Sequence, residues 1–220
     1  KMRSEDRIIK ADFLEYNDGS IGDCFYVFDK PSQNHLIQSG ILKKKIKFFY
    51  DSNDSIKTKK KYSNSILLLF AHSSYNESII NLFIELKRKG IIFNELIYRE
   101  HPNEKLTIKQ IKTLKNICAK SESISNKFWG ELIFSNVLSI TSNSTSGIDA
   151  LSRGAALLWL PFLTEHSVQF SEMINNLGSV VKKKEELFEF MHRFTNNKKF
   201  SKKIQKKSKN DFQNYLNFNS

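Results

Sequence analysis

Between residues 64 and 194 the chain switches repeatedly between two hydrophobic patterns. Ser65-Ile66-Leu67-Leu68-Leu69-Phe70 is a continuous apolar run of strand length, as a strand buried on both faces requires. Ser73-Ser74-Tyr75-Asn76-Glu77 follows, rich in residues that cap helices. Apolar positions then recur at helical spacing at Ile79, Ile80, Leu82, Phe83 and Leu86, closed by Lys87-Arg88-Lys89-Gly90. Basic residues in a last turn followed by Gly are a helix stop, because the cations face the negative end of the helix dipole and Gly accepts the left-handed cap. The same reading predicts a strand over 94–99 that stops at His101-Pro102. It predicts a helix over 107–119, with Ile108, Ile111, Leu114 and Ile117 on one side. Short hydrophobic stretches at 132–134 and 137–140 follow, the second a strand. A short helix over 146–153 ends at Gly154, and a strand over 156–160 is stopped by Pro161. Strand and helix in alternation call for an α/β fold, a doubly wound and mainly parallel sheet.

The flanks read differently. Residues 1–40 are short elements around the turn Asn17-Asp18-Gly19, with Tyr26-Val27-Phe28 as a β-like run. Residues 51–63, from Asp51-Ser52-Asn53-Asp54 through a lysine run, have linker chemistry. The end of the chain, 196–220, is a basic amphipathic helical tail in which Phe200, Phe212 and Tyr215 punctuate the lysines. The expected organisation is a remnant or reduced N-terminal portion and linker over 1–60, an α/β domain over 61–195 and the tail over 196–220.

Composition narrows the classes. With 220 residues and 40% hydrophobic content the chain can build one substantial core. Cys24 and Cys118 stand in unrelated segments without metal-ligand spacing, so two thiols in a reducing compartment are expected rather than a disulfide or zinc site. No apolar run reaches the roughly 18–20 residues that span a bilayer, and Lys1-Met2-Arg3-Ser4-Glu5-Asp6 is too polar for a signal peptide. A cytoplasmic protein is expected, with the basic tail offering peripheral contact to the anionic inner face of the membrane. The net charge of +12 has two readings: attraction to an anionic surface or substrate, or the Lys-, Asn-, Ile- and Phe-rich usage of an AT-rich genome. Nucleic acid is the less favoured partner, since no RNP, KH or zinc-finger pattern is present.

In an open α/β sheet, ligands bind beyond the carboxyl ends of the strands. Three loops fall there. Ala71-His72-Ser73-Ser74-Tyr75-Asn76 reads first as a helix cap. Arg99-Glu100-His101-Pro102-Asn103 holds an imidazole on a backbone stiffened by the Pro that follows, able to donate to a phosphate or protonate a leaving oxygen. Thr141-Ser142-Asn143-Ser144-Thr145-Ser146-Gly147 places hydroxyls where a strand opens directly onto a helix, either as phosphate ligands or as an N-cap. The glycine-rich phosphate loops of kinases and of dinucleotide oxidoreductases are both absent from the sequence.

The order His101-Pro102, then Ser144-Thr145 or Thr145-Ser146 at a helix start, resembles bacterial sialyltransferases and the capsule-building polysialyl- and Kdo-transferases. Asp18-Gly19 fits their acidic motif, with Asn17 in place of the usual first acid. The resemblance implies a GT-B glycosyltransferase whose Rossmann-like C-terminal domain binds a CMP-linked sugar, with an incomplete N-terminal portion here. It implies Asp18 as general base toward the acceptor hydroxyl and His101 as general acid or donor to the phosphate. Arg99, Pro102, Asn143, Ser144, Thr145, Ser146, Gly147 and Glu165 would line the donor site. The acceptor would be a surface glycan and transfer would invert the anomeric carbon. No metal or other cofactor is expected, in keeping with the lack of an Asp-x-Asp motif. Two other readings stay open: a non-catalytic basic module for nucleotides or nucleic acid, and a UDP-sugar epimerase-like protein.

Overall fold

The computed structural model describes residues 25–27, 37, 40, 42–48, 60–71, 73–127, 131–142, 144, 146–163 and 177–217. The chain divides into two compact units, 1–55 with 216–220, and 56–215. In the first, β1 (Phe25–Val27) pairs in parallel with β2 (Ile46–Phe48), and a 3-10 turn at Lys43–Lys45 leads into β2.

The second unit begins with β3 (Lys60–Ser63) and β4 (Ile66–Leu69), followed by α1 (Ser73–Arg88), β5 (Leu96–Arg99), α2 (Ile108–Ile117) and β6 (Ser121–Ser123). Then come β7 (Leu132–Ser135), β8 (Leu138–Thr141), α3 (Ser146–Ser152), β9 (Ala156–Trp159), a 3-10 turn at Pro161–Leu163, β10 (Ser179–Val180), α4 (Lys184–Asn196) and α5 (Lys198–Asn217). Six strands form one all-parallel sheet in the order β10-β9-β8-β4-β5-β6. The chain therefore runs outward from β4 in one direction, returns to β8, and runs outward in the other. This is the Rossmann-like doubly wound arrangement that the hydrophobic pattern predicts, and its topological switch point lies between β4 and β8.

Both faces of the sheet are covered, which explains the unbroken apolar runs. Ile66 and Leu68 of β4, Leu96 and Tyr98 of β5, and Leu138 and Ile140 of β8 belong to one buried cluster. Ile79, Ile80, Phe83 and Leu86 of α1, Leu114 and Ile117 of α2, and Leu187 and Met191 of α4 complete it. Leu67, Leu69 and Ile97, one residue out of step, belong to a second cluster with Ala150 of α3. The period of two along each strand thus delivers alternate side chains to opposite helical layers.

Ahead of β4 and β8, the short pair β3-β7 continues the same parallel ladder in register, Lys60 opposite Leu132 through Ser63 opposite Ser135. Asn64 and Asn136 bend it, each at φ 56°, the left-handed region that Asn tolerates better than most residues. Their side chains lock the two bends together, Asn136 Nδ2 donating to Asn64 Oδ1 at 2.5 Å.

Three features differ from the sequence expectation. Residues 60–63 form a strand rather than the end of a linker; of the four, only Tyr62 is buried, so no alternation betrays it. Ile108 opens α2 outside the buried stripe and is 74% exposed, while Leu114 and Ile117 are covered. The helix is set by its cap instead: Thr107 Oγ1 accepts from Gln110 N at 3.2 Å and Gln110 Oε1 accepts from Thr107 N at 2.9 Å, a complete capping box. The basic segment read as a tail is mostly built into the domain as α5. Its Ile204 joins the first core cluster, and Phe212 and Tyr215 pack against Leu157 and Trp159. Ser208 Oγ accepts from Leu157 N at 3.2 Å, and Gln205 Nε2 donates to Val137 O at 2.9 Å. Helix α5 thereby supplies the acceptor for the buried Leu157 N, next to the two-residue ladder of β10 and β9.

Candidate functional site

The site is built at the carboxyl edge of the sheet, where β8, β4 and β5 lie side by side. Strand β8 ends in Thr141, and Ser142 follows it; both are fully buried. Thr141 Oγ1 accepts from Ser144 N at 3.0 Å, Ser144 Oγ accepts from Ser146 N at 3.3 Å, and Ser144 O accepts from Gly147 N at 3.0 Å. The serine-rich turn therefore uses its own hydroxyls to shape the entry to α3. Gly147 has a packing reason: a Cβ there would meet Leu157 Cδ1 at 2.9 Å, so a larger residue would require the Leu157 side chain to shift. That is the physical role of the last glycine in many dinucleotide-binding turns, close helix–strand approach.

Strand β4 ends at Leu69, and Phe70 N donates to Arg99 O at 3.0 Å, tying the ends of β4 and β5 together. Asn76, in the first turns of α1 just beyond β4, is 1% exposed, and its Oδ1 has no hydrogen-bond partner among the described residues. A buried, unsatisfied amide oxygen is costly, about 1–3 kcal/mol, and is a usual mark of a place where a ligand or water completes the bond.

Strand β5 ends in Arg99, half-buried. Burial lowers the pKa of its guanidinium, and the nearby Asp149 of α3 pulls it back up. Asp149 shows the converse. Although the residue keeps an open edge to solvent, crowding by protein raises its carboxyl pKa, with Arg99 and Arg153 acting against the rise. The Arg99–Asp149 attraction reaches from the β5 end to the first turn of α3 and links the two predicted loops electrostatically.

The loop after Arg99 is a tight turn, with Glu104 N donating to His101 O at 3.2 Å. Glu100 anchors it: its N donates to Ser125 Oγ at 3.0 Å and its Oε1 accepts from Leu106 N at 2.8 Å. His101 Nδ1 accepts from Asn103 N at 3.3 Å, which in the neutral ring puts the proton on Nε2 and makes that nitrogen the donor.

Of the residues singled out from sequence, Arg99, His101 and Pro102 stand at the β5 end, and Ser144, Ser146 and Gly147 at the β8 end. Asp18, Asn143, Thr145 and Glu165 lie outside the described residues, as does Cys24. Sequence reading passed over Asn76 and Asp149 as site residues. Asn76 was legible only as a capping residue, since nothing in the sequence marks a polar residue on the buried stripe of α1. The other Cys, Cys118, is buried and donates its Sγ–H to Phe93 O at 3.3 Å. Among the described residues no group of three or more His, Cys, Asp or Glu could hold a metal ion, and no helix is long and apolar enough to cross a membrane.

The sheet has a cavity at its other end. A space of about 460 Å³ opens at the amino edge, lined by Asn64, Asn94, Glu95, Asn136, Asn196 and Lys198 among others. Its polar groups largely answer one another, the Asn64–Asn136 bond and Ser65 Oγ donating to Glu95 being examples. Asn76 Oδ1, unsatisfied among the described residues, lies instead at the carboxyl edge, beside the switch point, where open α/β sheets bind nucleotides.

No family model matches the chain, and no curated protein matches it. Solved structures do. The wall teichoic acid polymerase TagF, in a variant soaked with CDPG, is 12% identical with TM-score 0.53, over 90% of this chain and 52% of that one. TarM is 12% identical with TM-score 0.54, over 97% of this chain and 43% of its own. A UDP-N-acetylglucosamine 2-epimerase, so described for Listeria monocytogenes, is 14% identical with TM-score 0.51, over 88% and 58%. The chain spans about half the length of these neighbours. At such identities they show the fold alone: the chain has a Rossmann-like fold of the GT-B kind.

Proposed function

We propose that the chain is the nucleotide-sugar-binding part of a GT-B glycosyltransferase, with the donor held at the carboxyl edge between β8, β4 and β5. The observation that carries this reading is that the His101-Pro102 turn after β5 and the turn from β8 into α3, separated by some forty residues, lie at the same sheet edge on the two strands that flank β4. Arg99 of the first and Asp149 of the second attract one another, linking the two turns. The donor is CMP-linked and its sugar an acid sugar such as sialic acid, on the strength of the His-Pro and Ser-Thr motif order.

In this mechanism the acceptor hydroxyl oxygen attacks the anomeric carbon and the bond from that carbon to the CMP phosphate oxygen breaks, inverting the centre. The leaving phosphate keeps the electron pair. The hydroxyl proton passes to Asp18. His101 donates from Nε2 to the leaving oxygen, and Ser144, Ser146 and the neighbouring Asn143 and Thr145 hold the phosphate as charge grows on it. Arg99 adds positive charge within a low-dielectric edge, and Glu165 contacts ribose or base. A surface glycan is the acceptor, and no metal takes part.

The test is thermal shift and calorimetric titration with CMP, CDP and UDP. CMP should raise the melting temperature and bind more tightly than UDP. Preference for UDP would favour the epimerase-like reading, which rests on the epimerase among the structural neighbours. Failure of all three nucleotides to bind would remove the donor-site proposal altogether.

A further inference from the structure

Helix α5 resolves a question that net charge alone leaves open. Over 20 residues it runs about 30 Å. Ser201, Ile204 and Ser208 are buried against the domain, and Phe200, Phe212 and Tyr215 pack partly buried against the core clusters. Six lysines, Lys198, Lys199, Lys202, Lys203, Lys206 and Lys209, recur at intervals of three and four and are all exposed. At 100° per residue they fill the half of the helix opposite the buried stripe. A seventh, Lys207, lies at the margin and pairs with Asp211 at 2.6 Å, the one acidic residue of α5. Helix α4 is the contrast: its Glu185, Glu186 and Glu189 are interspersed with Lys184 and Arg193.

We propose that this lysine face of α5 is a docking surface for an anionic phospholipid bilayer. The face is about 30 Å long and its charge is of one sign, which suits a field of headgroup phosphates. Its apolar side is already taken by the domain, so attachment is electrostatic adsorption rather than insertion of an amphipathic helix. Single-stranded nucleic acid fits less well. The rings of α5 that could stack on bases are packed inward, and the face carries no Arg for bidentate base contacts. The inference does not depend on the donor-site reading.

The experiment is vesicle co-sedimentation of the whole chain. Three samples are compared: the unmodified protein, a K202Q/K206Q/K209Q variant, and a charge-matched K109Q/K112Q/K115Q variant that removes three exposed lysines of α2. Thermal melting establishes that each is folded. The unmodified chain should pellet with phosphatidylcholine vesicles containing phosphatidylglycerol and not with phosphatidylcholine alone. Binding should vanish near 1 M salt, where the screening length is about 3 Å. At about five-fold per lysine, the α5 variant should lose on the order of a hundredfold in partition, and the α2 variant no more than about five-fold. Equal loss in both variants would mean diffuse net charge and overturn the proposal. So would intact vesicle binding by the α5 variant. Absence of vesicle binding, with or without α5-dependent binding of a fluorescent oligonucleotide, would overturn it too, and with it would assign the face to nucleic acid.

Discussion

The two ends of β4 and β8 carry similar numbers of polar residues and use them in opposite ways. At the amino edge Asn64 pairs with Asn136 and Ser65 with Glu95, and Asn64 N and Leu138 N donate to Ser135 O and Ser65 O. The polar groups there are spent on one another, holding the bend between β3-β7 and β4-β8. At the carboxyl edge Thr141 and Ser142 are buried, Asn76 Oδ1 is unsatisfied among the described residues, and Arg99 and Asp149 both have pKa values moved toward their neutral forms by burial. A fold tolerates such cost where something else gains by it, and perturbed ionisable groups at a switch point are an active-site signature. The amino edge has a cavity whose polar groups answer one another, whereas the carboxyl edge holds Asn76 Oδ1 unsatisfied among the described residues.

The sharpest way to break this contrast is at His101. If His101 Nε2 donates a hydrogen bond to the leaving oxygen as charge grows on it, His101→Ala should cut sugar transfer by about 10² or more, close to 3 kcal/mol in the barrier, with melting temperature unchanged because the ring is only half-buried. Initial rates with a CMP-linked donor and glycan acceptor measure it. Near-normal turnover would reduce the β5 turn to a connector and leave the two edges chemically equivalent.

Gly154 tests the opposite edge. It sits at φ 93° where α3 returns to the start of β9, and a Cβ would stand 2.6 Å from Phe134 O, a backbone atom with little room to move. Gly154→Ala should cost about 2 kcal/mol in urea unfolding and leave nucleotide affinity within a factor of about two. A large loss of CMP affinity at unchanged stability would show that the amino edge also serves the ligand.

The alternation that set the fold was legible because the central strands are buried on both faces. Leu67 and Leu68 each face a helical layer, so the run 65–70 needed no alternation to be read. The strands that escaped notice are those for which hydrophobicity does no work. Strand β6, Ser121–Ser123, has no buried residue and is held by backbone pairing to β5, while β3 has only Tyr62. The turns of the candidate site were visible because polar residues at a strand end followed by a helix are conspicuous. Asn76 and Asp149 were not, since their significance lies in what surrounds them: a buried stripe for one, a partner fifty residues away for the other. The role of α5 was hidden for a related reason. Its lysines dominate the sequence, whereas its place in the domain depends on Ile204, Ser208 and Phe212 meeting strands far away in the chain.

The finest comparison is between two carboxylates with opposite shifts. Burial pushes Glu122 up, but hydrogen bonds and attraction from Lys127 and Lys60 outweigh it, so its pKa lies below the ordinary 4.5. At Asp149 burial wins over Arg99 and Arg153, and the pKa lies above the ordinary 3.8. The signs of the linkage follow. Glu122 contributes stability that is complete above pH 4.5 and is lost as pH falls through its depressed folded value. Asp149 costs stability at neutral pH, and that cost is relieved as pH falls through its raised folded value toward 3.8. Glu122→Gln should therefore destabilise by less than about 1 kcal/mol at pH 7, the pair being over a third exposed, with the gap to the unmodified protein closing in acid. Asp149→Asn should be neutral or slightly stabilising at pH 7, and its gap should also close in acid, from the opposite side. Urea unfolding across pH 3–7 measures both. If Asp149→Asn destabilises as Glu122→Gln does, Asp149 is an ordinary structural partner of Arg99, and the carboxyl edge loses its claim to stored electrostatic cost.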